Sequence, residues 1–140
     1  MILVDTNVLI DVFDRDPQWF DWSRANLSRS AFGAYLFVNP VVIGELAAKF
    51  EAFNDLRMIL VAMLISVEPL SDEGAFLAGR AFEVYRGRRG PDAPKSALPD
   101  FLIGGHAQAV GATVMTRDPR WYRTYFPAVP LITPEREPND

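Results

Sequence analysis

Cysteine is missing from the 140 residues, which rules out disulfides, thiolate metal sites and a thiol nucleophile together. Any chemistry has to use oxygen, imidazole or amine groups. An apolar run long enough to cross a bilayer is missing too. The longest, at positions 58–67 and broken only by Ser66, is about half of what a spanning helix needs. No basic leader precedes Asp5 in the opening MILVDTN, so the expected location is cytoplasmic, with no membrane partner. An excess of positive charge is also lacking. Fourteen Lys and Arg stand against eighteen Asp and Glu, a net charge of −4, whereas domains that bind nucleic acid by charge are strongly basic. A polyanionic substrate would need a site that makes it acceptable locally.

What is there is a globular composition, 49% hydrophobic and 23% charged, in a length that buries roughly two thirds of the extended chain's surface. One domain is expected over residues 1–133, with a polar, frayed tail at 134–140. Short β-type runs alternate with longer helical ones, without internal repeats. Ile2, Leu3 and Val4 read as a strand, and Val8, Leu9, Ile10, Val12 and Phe13 as the helix after it. Asp16-Pro17 opens an amphipathic stretch carrying Trp19, Phe20, Trp22 and Leu27, and residues 35–38 read as the second strand. Asn39-Pro40 marks a helix start, with one face formed by Val42, Ile43, Leu46 and Phe50. Further helices are expected at about 54–64, 72–86 behind a Ser71 cap, 99–110 ended by Gly111, and after Asp118-Pro119. Strands are expected at 67–70, 113–116 and 129–132, and a loop at 87–99. Strands separated by helices pair in parallel through right-handed crossovers. The fold class expected is therefore α/β, a three-layer α/β/α domain around a parallel sheet of about five strands. Ligands of such sheets collect outside the carboxyl ends of the strands, which directs attention to Asp5 and Thr116.

Four acids fall near that edge. Asp5 closes the first strand, Asp118 follows the fourth, Asp100 opens the helix feeding the fourth, and Glu45 lies in the helix after strand two. Carboxylates crowded within about 5 Å must either take up protons or bind a cation. Magnesium and manganese suit oxygen ligands and leave positions open for substrate phosphate. An ion so held activates water near neutral pH and offsets phosphoryl charge, so an acidic protein can still cut a polyanion. Arg86, Arg88, Arg89 and Lys95, together with Arg117, Arg120 and Arg123 around Asp118, are candidate contacts to the phosphate backbone.

Asp5-Thr6-Asn7 at a strand end, Glu45 within Val42-Ile43-Gly44-Glu45-Leu46, Asp100-Phe101-Leu102-Ile103 before small residues, and Thr116-Arg117-Asp118 together resemble a PIN domain. More narrowly, size and motif order resemble the VapC toxins of toxin–antitoxin pairs, over positions 2 to about 132. The resemblance implies a Mg²⁺- or Mn²⁺-dependent endoribonuclease. Its catalytic acids would be Asp5, Glu45, Asp100 and Asp118, with Asp5, Asp100 and Asp118 as metal ligands, Thr116 supporting the site and Asn7 orienting Asp5. It also implies a homodimer and a cognate VapB-like antitoxin as partners. The sequence departs from the family at Gly104-Gly105-His106, where alanines are more ordinary. Glycine costs a helix about 1 kcal/mol relative to alanine, so helix propensity leaves the local packing there undetermined.

Each acid also has an explanation without metal. Asp5, Asn7 and Asp118 suit helix N-caps, Asp100 suits a first helical turn, and Glu45 suits a surface pair with Lys49 four residues on. His106 is read as structural or exposed rather than as a base, and the aromatics Trp19, Phe20, Trp22, Tyr35 and Phe37 as core or dimer contacts. A haloacid-dehalogenase-like phosphatase would need a second Asp where Asn7 stands. The remaining alternative is a non-catalytic PIN-like module that binds RNA or a partner.

Overall fold

A computed structural model describes residues 1–94 and 97–134 of the chain. Five strands, β1 (Ile2–Val4), β2 (Leu36–Val38), β3 (Ile65–Val67), β4 (Thr113–Met115) and β5 (Leu131–Ile132), form one sheet in the order β3-β2-β1-β4-β5. Every pairing is parallel. The helices are α1 (Thr6–Phe13), α2 (Phe20–Ala31), α3 (Pro40–Leu46), α4 (Phe53–Ala62), α5 (Asp72–Arg88), α6 (Leu98–Val110) and α7 (Arg120–Tyr125). They cover both faces of the sheet, so the central strands β1, β2 and β4 are almost wholly buried, and β1 and β2 read as continuous apolar runs. No helix among the described residues is long and apolar enough to cross a membrane.

Local chemistry accounts for the helix ends. Asn39 Oδ1 accepts from the N–H groups of Val41 and Val42 at 3.0 and 3.2 Å, and Ser71 Oγ accepts from Gly74 N–H at 3.0 Å. Gly111 closes α6 in the left-handed region, φ +70°.

Several boundaries differ from the sequence reading, among them α5, which runs two residues further to Arg88, and β5, which begins only at Leu131. The third strand begins at Ile65, because Leu64 takes a positive φ of 60° directly after α4 and turns the chain into the sheet two residues early. The helix from Pro40 stops at Leu46 and gives way to a 3₁₀ turn at Ala47–Lys49. Phe50, expected on the helical face, is extended and meets the ring of Phe13 edge-on at 5.7 Å. Asp16 holds Gln18 and Trp19 N–H in a turn, and α2 starts only at Phe20. Of the tail expected at 134–140, all but Pro134 lies outside the described residues.

Packing at the double glycine, which the sequence left open, is close. A Cβ on Gly105 would stand 2.4 Å from the carbonyl oxygen of Gly74 and 2.7 Å from the nitrogen of Ala78, both on α5. A Cβ on Gly104 would stand 2.4 Å from the ring of Phe126. The glycines let α6 lie against the backbone of α5 and receive an aromatic ring, which offsets their poor helix propensity.

Candidate active site

The register of β1 against β4 pairs Val4 with Met115, so Asp5 and Thr116 leave the sheet side by side at its carboxyl edge. Asp5 N–H donates to Met115 O at 2.9 Å. Asp5 occupies the N-cap position of α1, yet its side chain makes no capping bond. Its Oδ2 instead accepts from Thr116 Oγ1 at 2.8 Å, from the Tyr122 hydroxyl at 2.9 Å and, at a long 3.4 Å, from Asn7 Nδ2. Asn7 Nδ2 also donates to Thr116 Oγ1 at 3.1 Å. Asp5 is only 4% exposed. That burial pushes its carboxyl up to about 6, against the lowering effect of Thr116 and Tyr122 and with a further push from the charge of Glu45.

Glu45, on the exposed flank of α3, accepts from Thr6 Oγ1 at 2.7 Å. The surface pair expected with Lys49 is not made; Lys49 binds Asp14 at 2.8 Å. Asp100 stands in the first turn of α6, and its carboxyl is pushed up to about 7, first by burial and then by the charges of Asp5, Glu45 and Asp118, with Arg120 opposing. Asp118 is a poor cap, its Oδ1 reaching Arg120 N–H only at 3.4 Å, while Oδ2 pairs with Arg120 Nη2 at 3.0 Å. The four acids thus share one electrostatic neighbourhood. Among the described residues, no three His, Cys, Asp or Glu side chains are grouped closely enough to hold an ion as they stand. The donor set is nonetheless all hard oxygen, and the charges of its neighbours add to burial in raising the proton affinity of Asp5 and Asp100, the strain a divalent cation relieves.

The basic residues divide. Arg86 pairs with Glu83 on the surface of α5, Arg88 is exposed at its end, and Arg89 follows as the C-cap. Lys95 lies outside the described residues. Arg117 is drawn inward: its Nε donates to both carboxylate oxygens of Asp11 at 2.9 Å, and its backbone N–H reaches Asn7 Oδ1 at 3.3 Å. Asp11, 1% exposed, accepts a further bond from Ser23 Oγ at 2.9 Å.

Tyr122, Thr6, Asp11 and Ser23 escaped the sequence reading. The available signal was an acid, Asp11, among the apolar positions of α1, and no local pattern links Tyr122 to an aspartate 117 residues away. His106 is structural: it is buried, its ring meets Phe37 edge-on at 5.4 Å, its Nδ1 lies 3.1 Å from Asn39 Nδ2, and burial lowers its proton affinity.

The PIN domain family model matches residues 2–127. A sequence comparison with curated proteins gives no match. Among solved structures, VapBC2 from Rickettsia felis bound to a DNA fragment from their promoter is similar with a TM-score of 0.67 at 22% identity, over 95% of this chain and 98% of that one. FitAcB from Neisseria gonorrhoeae has a TM-score of 0.65 at 22% identity, over 94% and 96%. A toxin–antitoxin complex from Klebsiella pneumoniae has 0.63 at 23%, over 98% and 100%. At such identities the likeness to these structures is one of fold, whereas the family match runs through nearly the whole sequence and through all four acidic motifs, and on it the chain belongs to the PIN domain family.

Proposed function

We propose that the protein is a metal-dependent endoribonuclease of the VapC type, the toxin of a VapBC-type toxin–antitoxin pair. The observation that carries this reading is the burial of Asp5 and Asp100 beside Glu45 and Asp118, with carboxyls pushed up to about 6 and about 7. Burying acids where they repel one another is costly, and perturbed titrations of this kind cluster at functional sites. Asp5, Asp100 and Asp118 would hold Mg²⁺ or Mn²⁺ directly or through water, since magnesium commonly takes one or two carboxylates and keeps several waters. The chemistry such an ion would supply there is a more acidic water near neutral pH and partial neutralisation of the phosphoryl charge.

The chain's own groups do the rest. Thr116 and Tyr122 hold Oδ2 of Asp5, and Thr6 fixes Oε1 of Glu45. Glu45, the most exposed of the four, accepts the proton of the attacking water. The water oxygen bonds to phosphorus in line, the bond from phosphorus to the 3′ oxygen breaks, and that oxygen takes up a proton, leaving a 3′-hydroxyl and a 5′-phosphate. Arg117, with Arg86, Arg88, Arg89 and Lys95, contacts the RNA phosphates.

A VapB-like antitoxin and a second copy of the chain are the partners proposed. Phe32, Phe53, Met58, Val61 and Leu64 expose large apolar side chains, Phe32 by 92%, and apolar surface of this kind marks protein interfaces. The relatives named above include a toxin–antitoxin complex. A cytoplasmic location accords with this role.

The test is incubation of purified, antitoxin-free protein with total RNA and Mn²⁺, with chelator and Asp5→Asn as controls. Discrete fragments lost in both controls are expected, with Asp5→Asn slower by orders of magnitude. RNA that stays intact, yet is bound equally well by both forms, would instead establish the non-catalytic binding module.

A further inference from the structure

Arg117 is held in a way that a surface arginine is not. Its partner Asp11 is buried to 1% exposure on α1 and is supported from α2 by Ser23 Oγ at 2.9 Å. Sinking a carboxylate this deep is unfavourable unless it is fully engaged, and Asp11 is engaged in gripping one edge of a guanidinium. The grip is through Nε, which donates to both oxygens of Asp11 at 2.9 Å. Trp19 lies against the guanidinium, 5.9 Å from ring centroid to Cζ. Neither contact uses the two terminal amines, the pair with which arginine recognises phosphate bidentately. The backbone N–H of Arg117 meanwhile bonds Asn7 Oδ1, which ties the arginine's position to the residue that also donates to Asp5 and Thr116.

In front of this arginine is a cleft of about 350 Å³ lined by Arg117, Asp118, Pro119 and Arg120. Its second guanidinium, Arg120, is paired with Asp118 at 3.0 Å, but the two side chains are 60% and 46% exposed. Such solvent-facing pairs contribute little and exchange partners readily. The cleft therefore has one fixed cation, one that is easily released, and a carboxylate of the acidic site in its lining.

We propose that this cleft seats a backbone phosphodiester of the RNA next to the one being cut, gripped by the terminal amines of Arg117. Asp11 and Ser23 are positioning residues that aim the guanidinium without touching RNA. The assignment rests on the ribonuclease reading and names where that substrate is held. Negative charge on Asp11 makes a contrary prediction available. If Arg117 acted only as diffuse surface charge, neutralising Asp11 would make the protein less acidic and tighten RNA binding; if Asp11 aims Arg117, the same change loosens it.

The experiment uses the full-length protein in EDTA, so that nothing is cut, and follows a fluorescein-labelled single-stranded RNA decamer by anisotropy across a salt series. Arg117→Gln is expected to weaken binding about tenfold and to lower the slope of log affinity against log salt by about 0.7, one phosphate contact on a single strand. Asp11→Asn should weaken binding despite the gain in net charge, Ser23→Ala should do so to a smaller degree, and Arg117→Lys should not restore it. Circular dichroism establishes that each variant compared is folded, and Ser23→Ala keeps the question answerable if Asp11→Asn is not. Unchanged affinity and slope in Arg117→Gln, or tighter binding in Asp11→Asn, overturns the assignment while RNA binding by the unaltered protein leaves the ribonuclease reading standing. Absence of RNA binding by the unaltered protein, in EDTA and again with Ca²⁺ supplied as a hard cation for the acidic site, overturns both. Loss of antitoxin binding without loss of RNA binding in Arg117→Gln would reassign the cleft to the protein partner and also overturn the proposal.

Discussion

Asp5 and Asp100 carry their proton affinity as a stability cost. Their carboxyls move from an ordinary 3.8 in the unfolded chain to about 6 and about 7 in the fold, so between those values the folded chain binds more protons than the unfolded one. Stability supplied by these groups is complete below 3.8 and is lost as pH rises through about 6 and about 7. Metal-free protein should accordingly lose thermal stability from these two groups between about pH 4 and pH 7. Asp100→Asn should flatten that dependence, matching the parent at low pH and exceeding it at high pH, as scanning calorimetry at both ends would show. A variant that tracks the parent at every pH would contradict the raised titration. At this scale the sequence was informative only about residue type. It drew attention to all four acids and to Thr116 and Asn7, because strand ends and helix starts can be read locally. Tyr122 beside Asp5 and the pairing of Arg117 with the buried Asp11 depend on contacts spanning 117 and 106 residues, which no window of local pattern contains.

Among the elements, most were readable because capping chemistry is local: Asn39-Pro40, Ser71 and Gly111 bound their helices as their residue types require. The slip of the third strand to Ile65–Val67 followed from a positive φ at Leu64, a conformation that a leucine does not announce. The packing at the double glycine was not legible for a related reason. Propensity counts only what glycine costs its own helix, whereas the contact of Gly105 with Gly74 and Ala78 belongs to two helices at once. Gly105→Ala would force a methyl group to 2.4 Å from a backbone carbonyl oxygen, and neither partner is a flexible side-chain end. A loss of about 1–3 kcal/mol is expected, the usual range for overpacking, measurable as a lower urea midpoint. An unchanged midpoint would mean that α5 and α6 separate freely.

For the molecule as a whole, the alternation of strand and helix gave the parallel sheet, and the rule that ligands bind at carboxyl ends gave the edge on which to look. The strand order that makes β1 and β4 neighbours does not follow from that alternation alone, and on it depends the meeting of acids that start 113 residues apart, at Asp5 and Asp118. The same order predicts a gradient of rigidity. Amide hydrogen exchange should be slowest in β1 and β4, around Leu3 and Val114, and fastest in the edge strands β3 and β5, since opening the interior requires the borders to release first. Early exchange at Leu3 would show that the sheet opens from its middle.

The seating of Gly105 on α5 has one more effect. Asp100 rides on the same helix five residues earlier, and an α-helix advances about 1.5 Å and turns about 100° per residue. A backbone-to-backbone stop at Gly105 therefore meters how far the carboxylate protrudes and which way it is dialled. Axial slippage of the rod by a single residue would miss the other three acids, so the calibration of the acidic centre is kept at a notch roughly 7.5 Å along the helix from the group it calibrates.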